Sequence, residues 1–196
     1  MKDLLLKHIT TYVPLDLYDQ NVLLPFLHVK RYGDEEILLE PGLVCTELCF
    51  VISGGLRMYR IAEDKTGRVI QMAIKGHWIS DLYSFQSNEP SAYFIRAMDK
   101  TEVISISNVN YTDLFSQVPL FEIYFRIMMQ QGYQESLKKI ELLLNHGGDK
   151  PFIRFNELYP DMIRRVSIPV LASLLRAAYE FACFLETRNQ LAAEGL

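Results

Sequence analysis

The stretch from residue 29 to residue 107 limits the fold most, because it is a series of short apolar or alternating runs separated by turn residues. Pro41-Gly42 and Gly54-Gly55 stand between runs, where glycine permits the positive φ that tight turns demand. The predicted strands are residues 37–39, 48–52, 56–61, 69–74, 93–97 and 103–106. Short strands at this spacing predict an antiparallel sandwich or barrel.

Helical patterns flank this region. Residues 2–27 carry apolar side chains at helical spacing, interrupted by Pro14 and Pro25, which predicts two short helices. After the last strand, Asn110 is placed to cap a short helix over residues 111–117.

The longest helical pattern starts at Pro119 and ends at His146-Gly147-Gly148. At about 1.5 Å per residue this helix is a rod of roughly 40 Å, longer than a sheet domain needs for its own cover. We therefore expect its apolar stripe to pair with a second copy of the chain. A stripe that only covers the chain's own core remains the alternative. The residues predicted in the dimer interface are Tyr124, Ile127, Met128, Tyr133, Leu137, Ile140 and Leu144.

A linker separates this helix from the rest of the chain. Gly147-Gly148-Asp149-Lys150-Pro151 is the clearest break, and it predicts parts at 1–118, 119–148 and 149–196. The last part holds four short helical patterns, with Ser167 as an N-cap and Pro169 in a first turn, which is typical of a helix-turn-helix module.

The order of these parts resembles the cyclic-AMP receptor protein and Fnr (Crp/Fnr) superfamily of bacterial regulators. The segments that resemble the opening of that family's nucleotide-binding roll are residues 32–34, 40–42, 50–59 and 75–79. The resemblance implies an α+β fold: a double-stranded β-helix (β-roll or jelly roll) as sensor, a long dimerisation helix and a small C-terminal helix-turn-helix domain. It also implies a homodimeric, DNA-binding transcription regulator.

The resemblance also identifies a ligand site. The family's phosphate-binding cassette opens with Gly-Glu-Leu and closes with Arg-Ser-Ala, and the counterparts here are Ser80-Asp81-Leu82 and Pro90-Ser91-Ala92. The cassette glutamate accepts a hydrogen bond from the ribose, a role that Asp81 could keep, whereas Pro90 lacks the charge and donors of the phosphate-binding arginine. Cyclic AMP is therefore not the expected ligand, and an unidentified small-molecule effector is left open. The implied ligand-binding residues are Trp78, Asp81, Leu82, Ser91, Ala92 and Arg96.

Arg96 could replace the missing cassette arginine. Strand alternation places Ile95 and Ala97 on one face and Phe94 and Arg96 on the other. The sequence leaves open which face lines the pocket, and a surface arginine is the alternative.

The C-terminal module departs from the family's pattern at two positions. Arg176 stands in place of a turn glycine, and Phe184 in place of an arginine that reads guanine, while Glu180 matches. The implied DNA-binding residues are Arg164, Arg165, Ser173, Arg176, Tyr179, Glu180, Thr187 and Arg188. The alternative is a ligand-binding or protein-interaction module that has lost DNA binding.

Other functional classes lack support in the sequence. No hydrolase, metalloprotease, P-loop or dinucleotide motif is present, so no enzyme activity is expected. The histidines and the three cysteines have no metal-ligand spacing, and disulfides are not expected. With no long apolar stretch and no signal-peptide layout, a cytoplasmic location away from the membrane is expected. The net charge of −4 is uneven, with −5 on residues 1–149, which weakly favours nucleic acid as a partner of the remainder.

Overall fold

The computed structural model describes residues 2–63 and 67–145, together with the single helical positions Phe155, Glu157, Pro160 and Ser173. Its contacts define two compact units. One comprises residues 1–60 and 70–132, and the other residues 61–69 and 133–196. The predicted linker at residues 147–151 lies outside the described residues.

Two short helices precede the sheets, as predicted. Helix α1 spans Lys2–Thr10 and helix α2 spans Leu17–Leu23, followed by a 3-10 turn at Leu24–Phe26. Asp16 and Asp19 cap the start of α2 reciprocally, because each carboxylate accepts the backbone N–H of the other residue. These caps fix where the helix begins.

Within the described residues the strands form two four-stranded sheets of order β1-β8-β3-β6 and β2-β7-β4-β5. The strands are β1 His28–Tyr32, β2 Ile37–Leu39, β3 Glu47–Ser53, β4 Gly55–Ile61, β5 Gly67–Ile74, β6 Trp78–Ile79, β7 Phe94–Ala97 and β8 Thr101–Ser107. The chain passes back and forth between the sheets, which is the winding of a β-roll. All six predicted strands are confirmed, and the roll encloses an apolar core.

The turn between β3 and β4 requires glycine. Gly54 has φ +74°, and a Cβ there would come within 2.5 Å of Asp99 Oδ1 and Thr101 Oγ1. These two groups instead accept the N–H of Gly55, at 3.0 and 3.1 Å. The close approach of the two loops thus depends on the absence of a side chain.

Helix α3 spans Leu82–Ser87, α4 spans Tyr111–Gln117 and α5 spans Pro119–Asn145. Asn110 stands at the N-cap position of α4, as predicted, but its side chain makes no capping bond. Ser107 caps the 3-10 turn before α4 by accepting from Val109 N at 3.3 Å. The prediction of one uninterrupted helix from Pro119 is confirmed as far as Asn145, and its predicted end lies outside the described residues. No helix in the described ranges is long and apolar enough to cross a membrane.

Helix α5 has two contrasting halves. Its first half contributes Phe121, Tyr124, Phe125 and Met128 to the core. Tyr124 is completely buried, so it leaves no surface for a partner chain. Further along, Tyr133, Leu137 and Ile140 are 66%, 46% and 51% exposed. The side chain of Leu144 lies outside the described part.

Candidate ligand-binding site

The counterpart of the family's cassette is α3 with the residues on either side of it. Asp81 is the N-cap of α3, and its Oδ1 accepts the N–H of Ser84 at 3.4 Å. Its Oδ2 accepts from the Ser91 hydroxyl at 2.7 Å, and both side chains are buried. The carboxylate that was predicted to receive a ligand hydroxyl therefore already accepts two hydrogen bonds from the chain itself.

Further hydrogen bonds attach this segment to the loop before β3. The Ser84 hydroxyl accepts from Cys45 N at 2.8 Å and donates to Glu89 O at 2.5 Å. Ser91 N donates to Leu43 O, and Pro90 forms an isolated bridge with Val44. The structure thus brings Asp81, Leu82 and Ser91 together around α3, with Ala92 following at an exposed position.

The side chain of Trp78 bonds to helix α5 rather than to α3. Its indole N–H donates to the Tyr124 hydroxyl at 2.8 Å, and that hydroxyl lies 2.8 Å from His8 Nδ1. Because an indole only donates, Tyr124 accepts from Trp78, and its own O–H is then free to donate to His8 in the tautomer that leaves Nδ1 unprotonated. This triad joins β6, α5 and α1, and the sequence did not reveal it because His8 lies 116 positions from Tyr124.

Burial changes the acid–base behaviour of this triad. It lowers the pKa of His8, and the neighbouring His77 lowers it further. It also raises the pKa of Tyr124. Both shifts favour the neutral forms of the two side chains.

Arg96 lies on the outer face of its sheet, which answers the question that alternation left open. Its neighbours Ile95 and Ala97 point into the core. Arg96 Nη1 instead donates to Glu35 Oε2 at 3.1 Å, and the guanidinium lies over the ring of Tyr59. The contacts of Arg96 are thus on the opposite face from the roll's interior.

Of the residues implied in DNA binding, Ser173 falls within the described positions. Its hydroxyl donates to Gly67 O at 2.7 Å and accepts from Val69 N at 3.0 Å. The start of β5 therefore engages this hydroxyl. The remaining residues lie outside the described part of the chain, and their roles stay predictions: Arg164, Arg165, Arg176, Tyr179, Glu180, Thr187 and Arg188.

Cys45 and Cys49 are free, buried thiols, and Cys183 lies outside the described residues. Burial and the nearby Glu47 carboxylate raise the pKa of Cys49 well above its ordinary value, so it stays protonated. Among the residues that the structure describes, no group of three His, Cys, Asp or Glu side chains lies close enough to hold a metal ion.

Comparison with known proteins agrees with this architecture. Residues 29–118 match the cyclic nucleotide-binding domain family. No curated protein sequence matches the chain.

Solved structures share the fold across most of the chain. The c-di-GMP responsive global regulator CLP of Xanthomonas campestris is 18% identical, with a TM-score of 0.69 over 91% of this chain and 93% of that one. A putative Crp/Fnr-family regulator from Eubacterium rectale is 16% identical, with a TM-score of 0.68 over 93% and 88%. Thermus thermophilus catabolite activator protein is 17% identical, with a TM-score of 0.56 over 96% and 88%. The β-roll fold that the resemblance implies is therefore confirmed, whereas the predicted helix-turn-helix part lies outside the described residues.

The His8 triad predicts a pH-dependent stability. Because the folded pKa of His8 lies below its ordinary value of 6.5, the unfolded chain takes up a proton first as the pH falls. Stability is then fully present above pH 6.5 and declines below it. The variant His8→Asn keeps an acceptor near the Nδ1 position without titrating, so its Tm should fall less between neutral pH and about pH 5.

Thermal unfolding of both proteins across this range measures the effect, and His28→Asn, at an exposed position on β1, is the matched control. The Tm of His28→Asn should change with pH as steeply as that of the unaltered chain. If the Tm of His8→Asn fell with pH as steeply as that of the unaltered chain, His8 would not be the cause of the stability loss.

Proposed function

We propose that the chain is a homodimeric, DNA-binding transcription regulator of the cytoplasm. The premise is that residues 29–118 match the cyclic nucleotide-binding domain family and that structures with this fold include Crp/Fnr-type regulators. The observation that carries the proposal is the form of α5. This helix leaves the roll's core after Met128 and continues to Asn145 with large apolar side chains exposed. A rod of this kind is suited to joining a sensor to paired DNA-binding modules.

The second half of α5 is the proposed dimer interface. Tyr133, Leu137 and Ile140 are spaced four and three residues apart, so they lie on one face of the helix. An aligned apolar stripe that the chain's own core does not cover is typical of a partner surface. A second copy would cover it with the same stripe, as twofold symmetry requires.

The cassette is proposed to have lost its affinity for cyclic AMP. Asp81 already accepts from Ser84 and Ser91, and Pro90 supplies no charge for a cyclic phosphate. CLP is described as responsive to c-di-GMP, which supports the idea that this fold serves other effectors. The ligand of the present roll is therefore proposed to be a small molecule other than cyclic AMP, with Asp81, Leu82, Ser91 and Ala92 at its site.

Calorimetry tests the loss of cyclic AMP binding. Losing one charge-assisted contact in a pocket weakens binding on the order of a hundredfold. Titration of the full chain with cyclic AMP and with cyclic GMP should therefore give no heat of binding at concentrations that saturate cyclic-AMP-dependent regulators. Micromolar binding of either nucleotide would contradict the proposal.

A mobility-shift assay at several salt concentrations tests the DNA role. The full chain should bind duplex DNA at low ionic strength, where release of counterions favours association most. Replacing Arg164 and Arg165 by alanine should weaken binding and reduce the salt slope by about two, one for each lost phosphate contact. Arg31→Ala, on β1 of the roll, is the control and should change neither the DNA affinity nor its salt dependence.

Absence of any duplex binding at low ionic strength would reject the DNA role. It would favour the alternative function, a ligand-binding or protein-interaction module. Arg176 and Phe184, which depart from the family's pattern, are the residues that motivate this alternative.

A further inference from the structure

Two arginines stand directly opposite each other on the outer face of the second sheet. Arg57 of β4 and Arg96 of β7 are register partners. Their neighbours Met58 and Ile95 point into the core, so the arginine pair lies on the side away from the roll's interior. Like charges at directly opposed positions repel each other. Such a pair therefore needs an anion beside it.

Glu35 supplies that anion with a single oxygen. Arg57 Nη2 donates to Glu35 Oε2 at 2.6 Å, and Arg96 Nη1 donates to the same oxygen at 3.1 Å. One carboxylate thus faces two guanidiniums, and the group of three keeps a net positive charge. Each guanidinium carries five donors in a planar fork that matches carboxylate and phosphate oxygens.

The next register pair forms an aromatic surface beside the arginines. The rings of Tyr59 and Phe94 are stacked, with centroids 5.0 Å apart and planes at 11°. The guanidiniums of Arg57 and Arg96 lie 5.6 and 5.9 Å from the centroid of Tyr59. Attraction to the ring holds both cations in place, so the donors are organised before any ligand arrives.

Among the described residues, Glu35 leaves one nitrogen of the arginine pair without a hydrogen bond and is itself the most exposed of the three side chains. Arg96 Nε is buried and has no hydrogen-bond partner within the described part of the chain. The side chain of Glu35 is 47% exposed, against 19% for Arg57 and 28% for Arg96. Glu35 also has φ 59°, a left-handed conformation that side chains other than glycine rarely adopt. The cations are therefore held firmly, whereas the carboxylate sits at the edge in a strained segment.

We propose that Arg57 and Arg96 form a second ligand site, for a small oxyanion carried by a planar ring, and that Glu35 occupies the site when the ligand is absent. The oxyanion, a phosphate monoester or a carboxylate, takes the position of the Glu35 carboxylate between the guanidiniums. The ring of the ligand extends the stack of Tyr59 and Phe94. This site is separate from α3 and does not depend on the proposed DNA binding.

Substitution of Glu35 and substitution of either arginine should change the affinity for the ligand in opposite directions. Glu35→Gln removes the internal competitor, so it should tighten binding by about fivefold, the equivalent of one part-exposed ion pair. Arg57→Gln and Arg96→Gln each remove one cation, so each should weaken binding by about tenfold or more. Damage to the fold would lower the affinity, so it cannot explain a gain in Glu35→Gln.

Calorimetric titration of the full chain with phenyl phosphate, benzoate and inorganic phosphate at low ionic strength tests these predictions. The matched control is Glu102→Gln. Glu102 pairs with one arginine, Arg31, across β8 and β1 at 2.6 Å, so its loss should create no new affinity. Phenyl phosphate and benzoate distinguish phosphate from carboxylate ligands. Inorganic phosphate measures the contribution of the ring, and it should bind more weakly than phenyl phosphate.

Three results would overturn the proposal. The first is no binding of phenyl phosphate or benzoate to either the unaltered chain or Glu35→Gln. The second is a gain in Glu102→Gln equal to that in Glu35→Gln, which would indicate general charge attraction. The third is equal affinity for inorganic phosphate and phenyl phosphate, which would remove the role of the aromatic surface.

Discussion

The packing of the first half of α5 against the β-roll is the interaction on which the rest of the structure depends. Phe121, Tyr124, Phe125 and Met128 lie in the same core as the strands. Burying side chains of this size stabilises the fold by about 1.5–3 kcal/mol each, as an upper estimate, whereas a single hydrogen bond contributes about 1 kcal/mol. Packing therefore holds the helix in place. The bonds from Tyr124 to Trp78 and His8 fix its orientation and join it to β6 and α1. In the second half of α5, by contrast, the apolar side chains of Tyr133, Leu137 and Ile140 are exposed.

The charged side chains of the roll have other contacts than the family's cassette pattern predicts. The carboxylate of Asp81 holds the start of α3 and the Ser91 hydroxyl, so it has a structural role. The cations of the second sheet lie instead on the outer face, where Arg57 and Arg96 share Glu35. The buried polar groups around α3 therefore bond to one another, whereas the arginine pair lies on the outer face of its sheet.

Much of the fold could be predicted from the sequence, because buried strands and a helix with one apolar face leave periodic patterns. β1 escaped prediction because it is an edge strand that carries Lys30 and Arg31 among mostly exposed positions, and β6 because it has only two residues. Periodicity predicted the helix of α5 but treated its apolar positions as one stripe. Tyr124 and Tyr133 are nine positions apart and so lie on opposite sides of the helix, where Tyr124 is buried and Tyr133 is exposed. The arginine cluster was also invisible, because Glu35, Arg57 and Arg96 come from distant segments. Only the strand register brings them together.

Amide hydrogen exchange along α5 at low and high protein concentration tests the central claim most directly. Amides near Phe121 to Met128 should be protected equally at both concentrations, because the chain's own core covers them. Those from Tyr133 to Ile140 should become more protected as concentration rises, since a second copy then covers their face. Protection that is the same at both concentrations along the whole helix, in a protein that sediments as a monomer, would contradict the account.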